Sequence, residues 1–195
     1  MDIIWGGDGK LMADSGADVI GASNFAGSTM SLSFTDIPQT YQTIRVVANF
    51  LTDPAAAASY GTQGMFMRMN GESGSAYYNS YLAEQGGSWI SNTSTQDTTL
   101  GTYGWLGNID GDLSPVSSHN PFIVDIINYA ADEPTTWQGV GGRTLSSGYS
   151  GDFRILSGGV AQPGGSWGVS SIEFYAGNVN LDSNSRVTLI GLKGS

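Results

Sequence analysis

The chain has no cysteine, which removes disulfides, thiolate nucleophiles, iron–sulfur clusters and cysteine-based zinc sites. Its single histidine, His119, rules out a multi-histidine metal centre. Charge is scarce: charged residues are 12% of 195, about half the usual share of roughly 25%. Basic residues are scarcest, with 7 Lys and Arg against 17 Asp and Glu and a formal net charge of −10. Phosphate must be neutralised by Lys and Arg, so no nucleic-acid partner is expected. The same balance disfavours an anionic membrane surface. No apolar run nears the roughly 20 residues that span a bilayer, so no membrane partner is expected. The opening Met1-Asp2-Ile3-Ile4-Trp5-Gly6-Gly7-Asp8 has neither a basic segment nor a long apolar one, so no secretory leader is expected. What is present suits a folded body. Apolar residues reach 39% and aromatics 11%, which argues against global disorder, and the length suits one domain with a real core. Glycine is abundant at 29 residues, about twice its usual share of roughly 7%.

The dominant hydrophobic period is two. Met30, Leu32 and Phe34 alternate with Ser31, Ser33 and Thr35. Ile44, Val46 and Ala48 alternate with Arg45, Val47 and Asn49, and Met65, Met67 and Met69 with Phe66, Arg68 and Asn70. Ile172 and Phe174 flank Glu173, and Val187 and Leu189 flank Thr188. Successive strand residues point to opposite faces, so these runs predict half-buried strands. In residues 122–127 both faces are apolar, which predicts a central strand covered on both sides. Turn signals separate the runs, among them Asn70-Gly71, Gly86-Gly87, Asp110-Gly111, Gly141-Gly142, Ser147-Gly148, Gly158-Gly159 and Gly164-Gly165. Asn70-Gly71 reads as a type I′ hairpin turn. Eight to ten strands are predicted, near 29–35, 43–50, 64–69, 76–84, 99–105, 121–129, 135–143, 153–161, 169–175 and 186–192. Only residues 54–59, with four alanines, have helical propensity, enough for one turn at most. The expected fold is all-β: an antiparallel β-sandwich, jelly-roll-like, over residues 29–195.

Residues 1–28 read differently. They are rich in Gly, Asp and Ser and cannot bury a core of their own. Apolar islands dot them: Ile3, Ile4 and Trp5, then Val19 and Ile20, then Phe25. A plain linker has no need of these, so the segment is expected to be an extended arm that docks on a partner through them.

Little in the chain suggests catalysis. His119 sits in Ser117-Ser118-His119-Asn120-Pro121, which reads as a turn, and no Gly-x-Ser-x-Gly elbow is present. Asn108, Asp110 and Asp112 place oxygen side chains at alternate positions around Gly111, as a hard cation prefers. The bidentate Glu that completes a calcium loop is missing, and a solvated acidic loop is the expected state. Three thioethers on one strand face, Met65, Met67 and Met69, could hold copper(I), but gap-filling in the core is the expected role. Trp89, Trp105, Trp137 and Trp167 lie near Gly-rich stretches and are candidate glycan or interface aromatics, although tryptophan packs cores equally well. No catalytic residue, cofactor or enzymatic activity is expected.

Four segments carry a family resemblance. The first is Phe34-Thr35-Asp36-Ile37-Pro38-Gln39-Thr40-Tyr41 with the strand that follows it. The second is Arg68-Met69-Asn70-Gly71-Glu72-Ser73-Gly74-Ser75-Ala76-Tyr77-Tyr78. The closing pair is Ser171-Ile172-Glu173-Phe174-Tyr175-Ala176-Gly177-Asn178 and Ser185-Arg186-Val187-Thr188-Leu189-Ile190-Gly191-Leu192. In order and spacing they resemble a β-sandwich module of tailed-phage virion proteins, over about residues 28–193. Ile190 stands where that module usually has Tyr. The resemblance implies a structural protein of the virion, a homotrimer without catalytic residues. With one short sandwich and an arm, the chain suits a capsid decoration (cement) protein that stabilises the major capsid protein shell. The alternative is a tail-fibre or receptor-binding module that contacts host glycans.

Overall fold

The computed structural model describes residues 4–5, 11–12, 16–25, 29–51, 63–73, 76–85, 88–95, 104–109, 120–143, 152–160, 165, 167–177 and 180–194. Fourteen strands are found there: β1 Ile4–Trp5, β2 Leu11–Met12, β3 Ala17–Asn24, β4 Ser31–Phe34, β5 Thr43–Phe50, β6 Gln63–Met69 and β7 Tyr77–Gln85, followed by β8 Ser88–Thr95, β9 Gly104–Ile109, β10 Asn120–Ile127, β11 Thr135–Arg143, β12 Asp152–Val160, β13 Ile172–Ala176 and β14 Arg186–Leu192. All strand pairings are antiparallel. An eight-stranded sheet has the order β3-β14-β5-β10-β11-β12-β7-β8, a four-stranded sheet the order β4-β13-β6-β9, and β1 and β2 form a small ribbon. The two larger sheets make an all-β sandwich.

The alternation written in the sequence builds its core. In β5, Ile44, Val46, Ala48 and Phe50 point inward, and in β10 Phe122, Val124 and Ile126 do the same. From the smaller sheet Met65, Met67, Met69, Ile172 and Phe174 answer them, all essentially inaccessible to solvent. The three methionines therefore pack the core, as expected of a flexible gap-filling side chain. Phe50 bridges the layers, with its ring 5.7 Å from Phe122 and 6.4 Å from Phe174. Gly158 has a packing reason. A Cβ there would lie 2.1 Å from the Trp137 ring on the neighbouring strand, so glycine lets that indole lie flat across β12.

Polar side chains tie the connections to this core. The Asn70-Gly71 turn has φ of 50° and 69°, and the Glu72 N–H donates to the Met69 carbonyl at 2.9 Å. Both central residues are thus left-handed, as a type I′ turn requires. The turn does not close a hairpin, however. β6 and β7 belong to different sheets, so it carries the chain across the sandwich. Asn70 also holds the loop before β13. Its Oδ1 accepts from the N–H groups of Ser170 and Ser171 at 2.8 and 3.1 Å, and its Nδ2 donates to the Gly168 carbonyl at 2.7 Å.

The expected boundary between arm and sandwich, at residue 28, is corrected. Residues 17–24 form β3, an edge strand paired with β14 on both sides of a register shift at Ile20, and Phe25 is in the core beside Phe50. A Gly- and Asp-rich stretch cannot build a core, but it can add to an existing sheet through backbone hydrogen bonds. Asp18 fastens that edge, accepting from the Tyr41 hydroxyl at 3.0 Å and pairing with Lys193 at 3.0 Å. The Lys193 ammonium and then the Tyr41 hydroxyl hold its carboxyl below the usual carboxylate range. β8 was not expected either, and the strand expected at 99–105 is found as β9 at 104–109. The possible helical turn at 54–59 lies outside the described residues.

Candidate functional site

Only one face of β10 is covered. Phe122, Val124 and Ile126 are buried, whereas Ile123 points away from the sandwich with 46% of its surface exposed. The prediction that residues 122–127 need cover on both sides therefore holds for the inner face alone. Its neighbours repeat the pattern. The register places Val47 of β5 opposite Ile123, Ile123 opposite Val140 of β11, Val140 opposite Ile155 of β12, and Ile155 opposite Leu82 of β7. Each is an exposed large apolar side chain. Side chains directly across a ladder lie within contact distance. These five make one continuous apolar row across five strands, about 19 Å at a spacing of roughly 4.8 Å.

The next row toward one end of the sheet contains Phe153 of β12, Glu84 of β7 opposite it, and Trp89 of β8 opposite Glu84. Phe153 is 47% and Trp89 61% exposed. Tyr78 lies farther along β7, and Val19 is exposed on the edge strand β3. Thus, among the described residues, nine of the eleven exposed large hydrophobics belong to the outward side of the eight-stranded sheet. Monomers rarely expose apolar patches of this continuity, which mark interaction surfaces. Between Pro121, Ile123, Val140, Gly142 and Phe153 lies a shallow, nearly wholly apolar depression of about 280 Å³.

Charge on this face is balanced within it. Arg45 and Asp125 are cross-strand partners joined by two hydrogen bonds of 2.7 and 2.8 Å. The Asp125 carboxylate raises the Arg45 guanidinium above its ordinary pKa, keeping it charged. Arg186 lies near one side of the sheet and Glu84 near the other. Two cations and two anions give zero on the described outward positions, in a chain whose formal charge is −10.

The sequence-predicted site residues disperse over the fold. Ile4 and Trp5 form β1 of the small ribbon, and Ile3 lies outside the described residues. Val19 is exposed, Ile20 packs partly against the core, and Phe25 is fully inside it and so cannot dock on a partner. The four tryptophans do not share a platform. Trp89 faces outward from the large sheet, whereas Trp137 is 1% exposed on its inner side, a packing residue and not a ligand contact. Trp105 belongs to β9 of the small sheet, and Trp167 lies exposed in the connection before β13. Asn108 is on β9 opposite Gly64; Asp110, Asp112 and His119 lie outside the described residues. Among the described residues no three His, Cys, Asp or Glu side chains come together as a metal site. The apolar row itself was missed, because it exists only once strand order is known.

No protein-family model matches the chain, and no curated protein matches it.

Proposed function

We propose that this chain is a structural, assembling protein of a tailed-phage virion, a capsid decoration protein that adheres to the major capsid shell and associates with copies of itself. The observation that carries the reading is the uncovered apolar row Val47, Ile123, Val140, Ile155 and Leu82. Such a surface adheres. Burial contributes about 25 cal/mol per Å² of apolar area, and subunit binding stabilises the folded state by an amount that grows with the logarithm of partner concentration over Kd. A particle component without cysteine gains persistence this way. The segments that resemble the virion module support the same reading, since they lie on β4 to β5, β6 to β7, β13 and β14, the frame of the sandwich.

In this reading the segment before β3 attaches to the shell. Deleting residues 1–15 tests it, because the cut spares β3 and Phe25. The truncated chain should keep its thermal melting temperature and lose co-sedimentation with capsid shells. Undiminished shell binding would overturn the role of that segment. The exposed Trp89 is what favours a receptor-binding tail module as a second reading. Binding to a glycan array by a chain that ignores shells is the result that would favour it.

A further inference from the structure

We propose that the outward face of the eight-stranded sheet pairs with the same face of a second copy of this chain, about a two-fold axis running along the strands between β10 and β11. The pairing rests on the assembly role proposed above; it names the contact and gives two-fold symmetry in place of the homotrimer that the family resemblance implies.

The strand order supplies the geometry. Between β3 at one edge and β8 at the other, the midline falls between β10 and β11. A half-turn about that line lays β10 over β11 of the second copy, β5 over β12 and β14 over β7. Residues sharing a row then meet in reciprocal pairs, as an isologous contact demands. Ile123 meets Val140 of the second copy, and Val47 meets its Ile155, each twice. Apolar faces apolar at all four central positions.

The row beyond adds a complementary charge pair, while Phe153 there meets Asn49 of the second copy and Trp89 its Asn24. Arg186 on β14 and Glu84 on β7 occupy that row at equal distances from the midline, because Arg186 is opposite Asn49, Asn49 opposite Pro121, and Phe153 opposite both Gly142 and Glu84. The half-turn places the Arg186 of each copy against Glu84 of the other, and Pro121 over the depression at Gly142. An unrelated partner would require no such mirror relation between opposite sides of one sheet.

Charge and area agree. The face sums to zero, so the repulsion that a −10 chain imposes elsewhere does not oppose this contact. Eight strands of seven to nine residues give a face of roughly 900 Å², close to the ~800 Å² per partner of a stable interface. Two such sheets pack face to face at about 10 Å with their strands nearly aligned.

Sedimentation velocity of the full chain tests the pairing, at about 50 μM, where even a micromolar contact is mostly formed. A dimer mass is expected. Ile155→Lys should give a monomer with unchanged circular dichroism and a melting temperature that no longer rises with protein concentration. If that variant fails to fold, the rim charges decide: Arg186→Glu and Glu84→Arg should each weaken association roughly tenfold, and the double exchange should restore it to within about threefold, since reciprocity rebuilds both pairs. A monomeric or trimeric wild-type chain overturns the proposal, as does a dimer that none of these substitutions weakens. Shell co-sedimentation reads the other claim separately. A chain that binds shells as a monomer sinks the pairing alone, and a dimer that ignores shells sinks the decoration role alone.

Discussion

At the scale of single residues, Asn70 shows how much one side chain can organise. It occupies a left-handed conformation at φ 50°, accepts from Ser170 and Ser171, and donates to the Gly168 carbonyl. It thereby joins the end of β6 to the loop that leads into β13, its partner in the small sheet. Alanine would remove these bonds, leave backbone donors without their acceptor, and tolerate the left-handed backbone poorly. Asn70→Ala should cost about 2–4 kcal/mol of stability by urea unfolding. A cost below about 1 kcal/mol would show that the loop is held by other means. That Asn70-Gly71 is a turn is legible in the dipeptide, because few other residues accept two positive φ angles in a row. That the turn crosses between sheets is not legible, because the dipeptide says nothing about where the next strand will pair.

At the scale of elements, legibility follows burial. β5 and β14 fall on the residues that alternation marks, 43–50 and 186–192. Each has one apolar face pressed against the core, and that is the physical origin of a period-two pattern. β3 and β8 are the two edges of the large sheet and carry no such pattern. Edge strands are held mainly by backbone bonds on one side, so Gly, Asp, Ser and Thr serve there, and polar edges also resist aggregation. This is why residues 17–25 look like an arm and are not one. Phe25 gives the measurable distinction. It is buried with its ring edge-on to Phe50 at 6.1 Å, so Phe25→Ala should cost about 3–5 kcal/mol, while Val19→Ala on the same segment should stay within about 0.5 kcal/mol. Equal, small effects in denaturant titrations would mean that the segment is a loosely held arm after all.

At the scale of the whole molecule, the candidate site is legible only in part. Residues 122–127 announce a second apolar face, but the five-strand row needs the order β5-β10-β11-β12-β7, and periodicity does not encode order. The cohesion of the two layers has its own signature. The Tyr77 hydroxyl, on the large sheet, accepts from the Met69 N–H on the small one at 2.9 Å. The Tyr129 hydroxyl donates to the Pro38 carbonyl at 2.5 Å and accepts from the Tyr41 N–H at 3.2 Å, closing the connection between β4 and β5. Burial pushes the Tyr77 phenol well above its ordinary pKa of 10.0 and raises Tyr129 and Tyr41 as well. The folded state therefore keeps protons that the unfolded chain releases near pH 10. The stability contributed by the neutral phenols is complete below that pH and is lost as the pH climbs past it toward the raised folded values. Melting temperature should thus fall steeply above pH 10, with tyrosinate absorbance rising in step with the loss of β-sheet circular dichroism. Tyr77→Phe should flatten this alkaline decline at the cost of about 1 kcal/mol near neutrality, where it forfeits one hydrogen bond. Tyrosinate that forms smoothly around pH 10 while the sheet signal persists would mean that these hydroxyls do not hold the layers together.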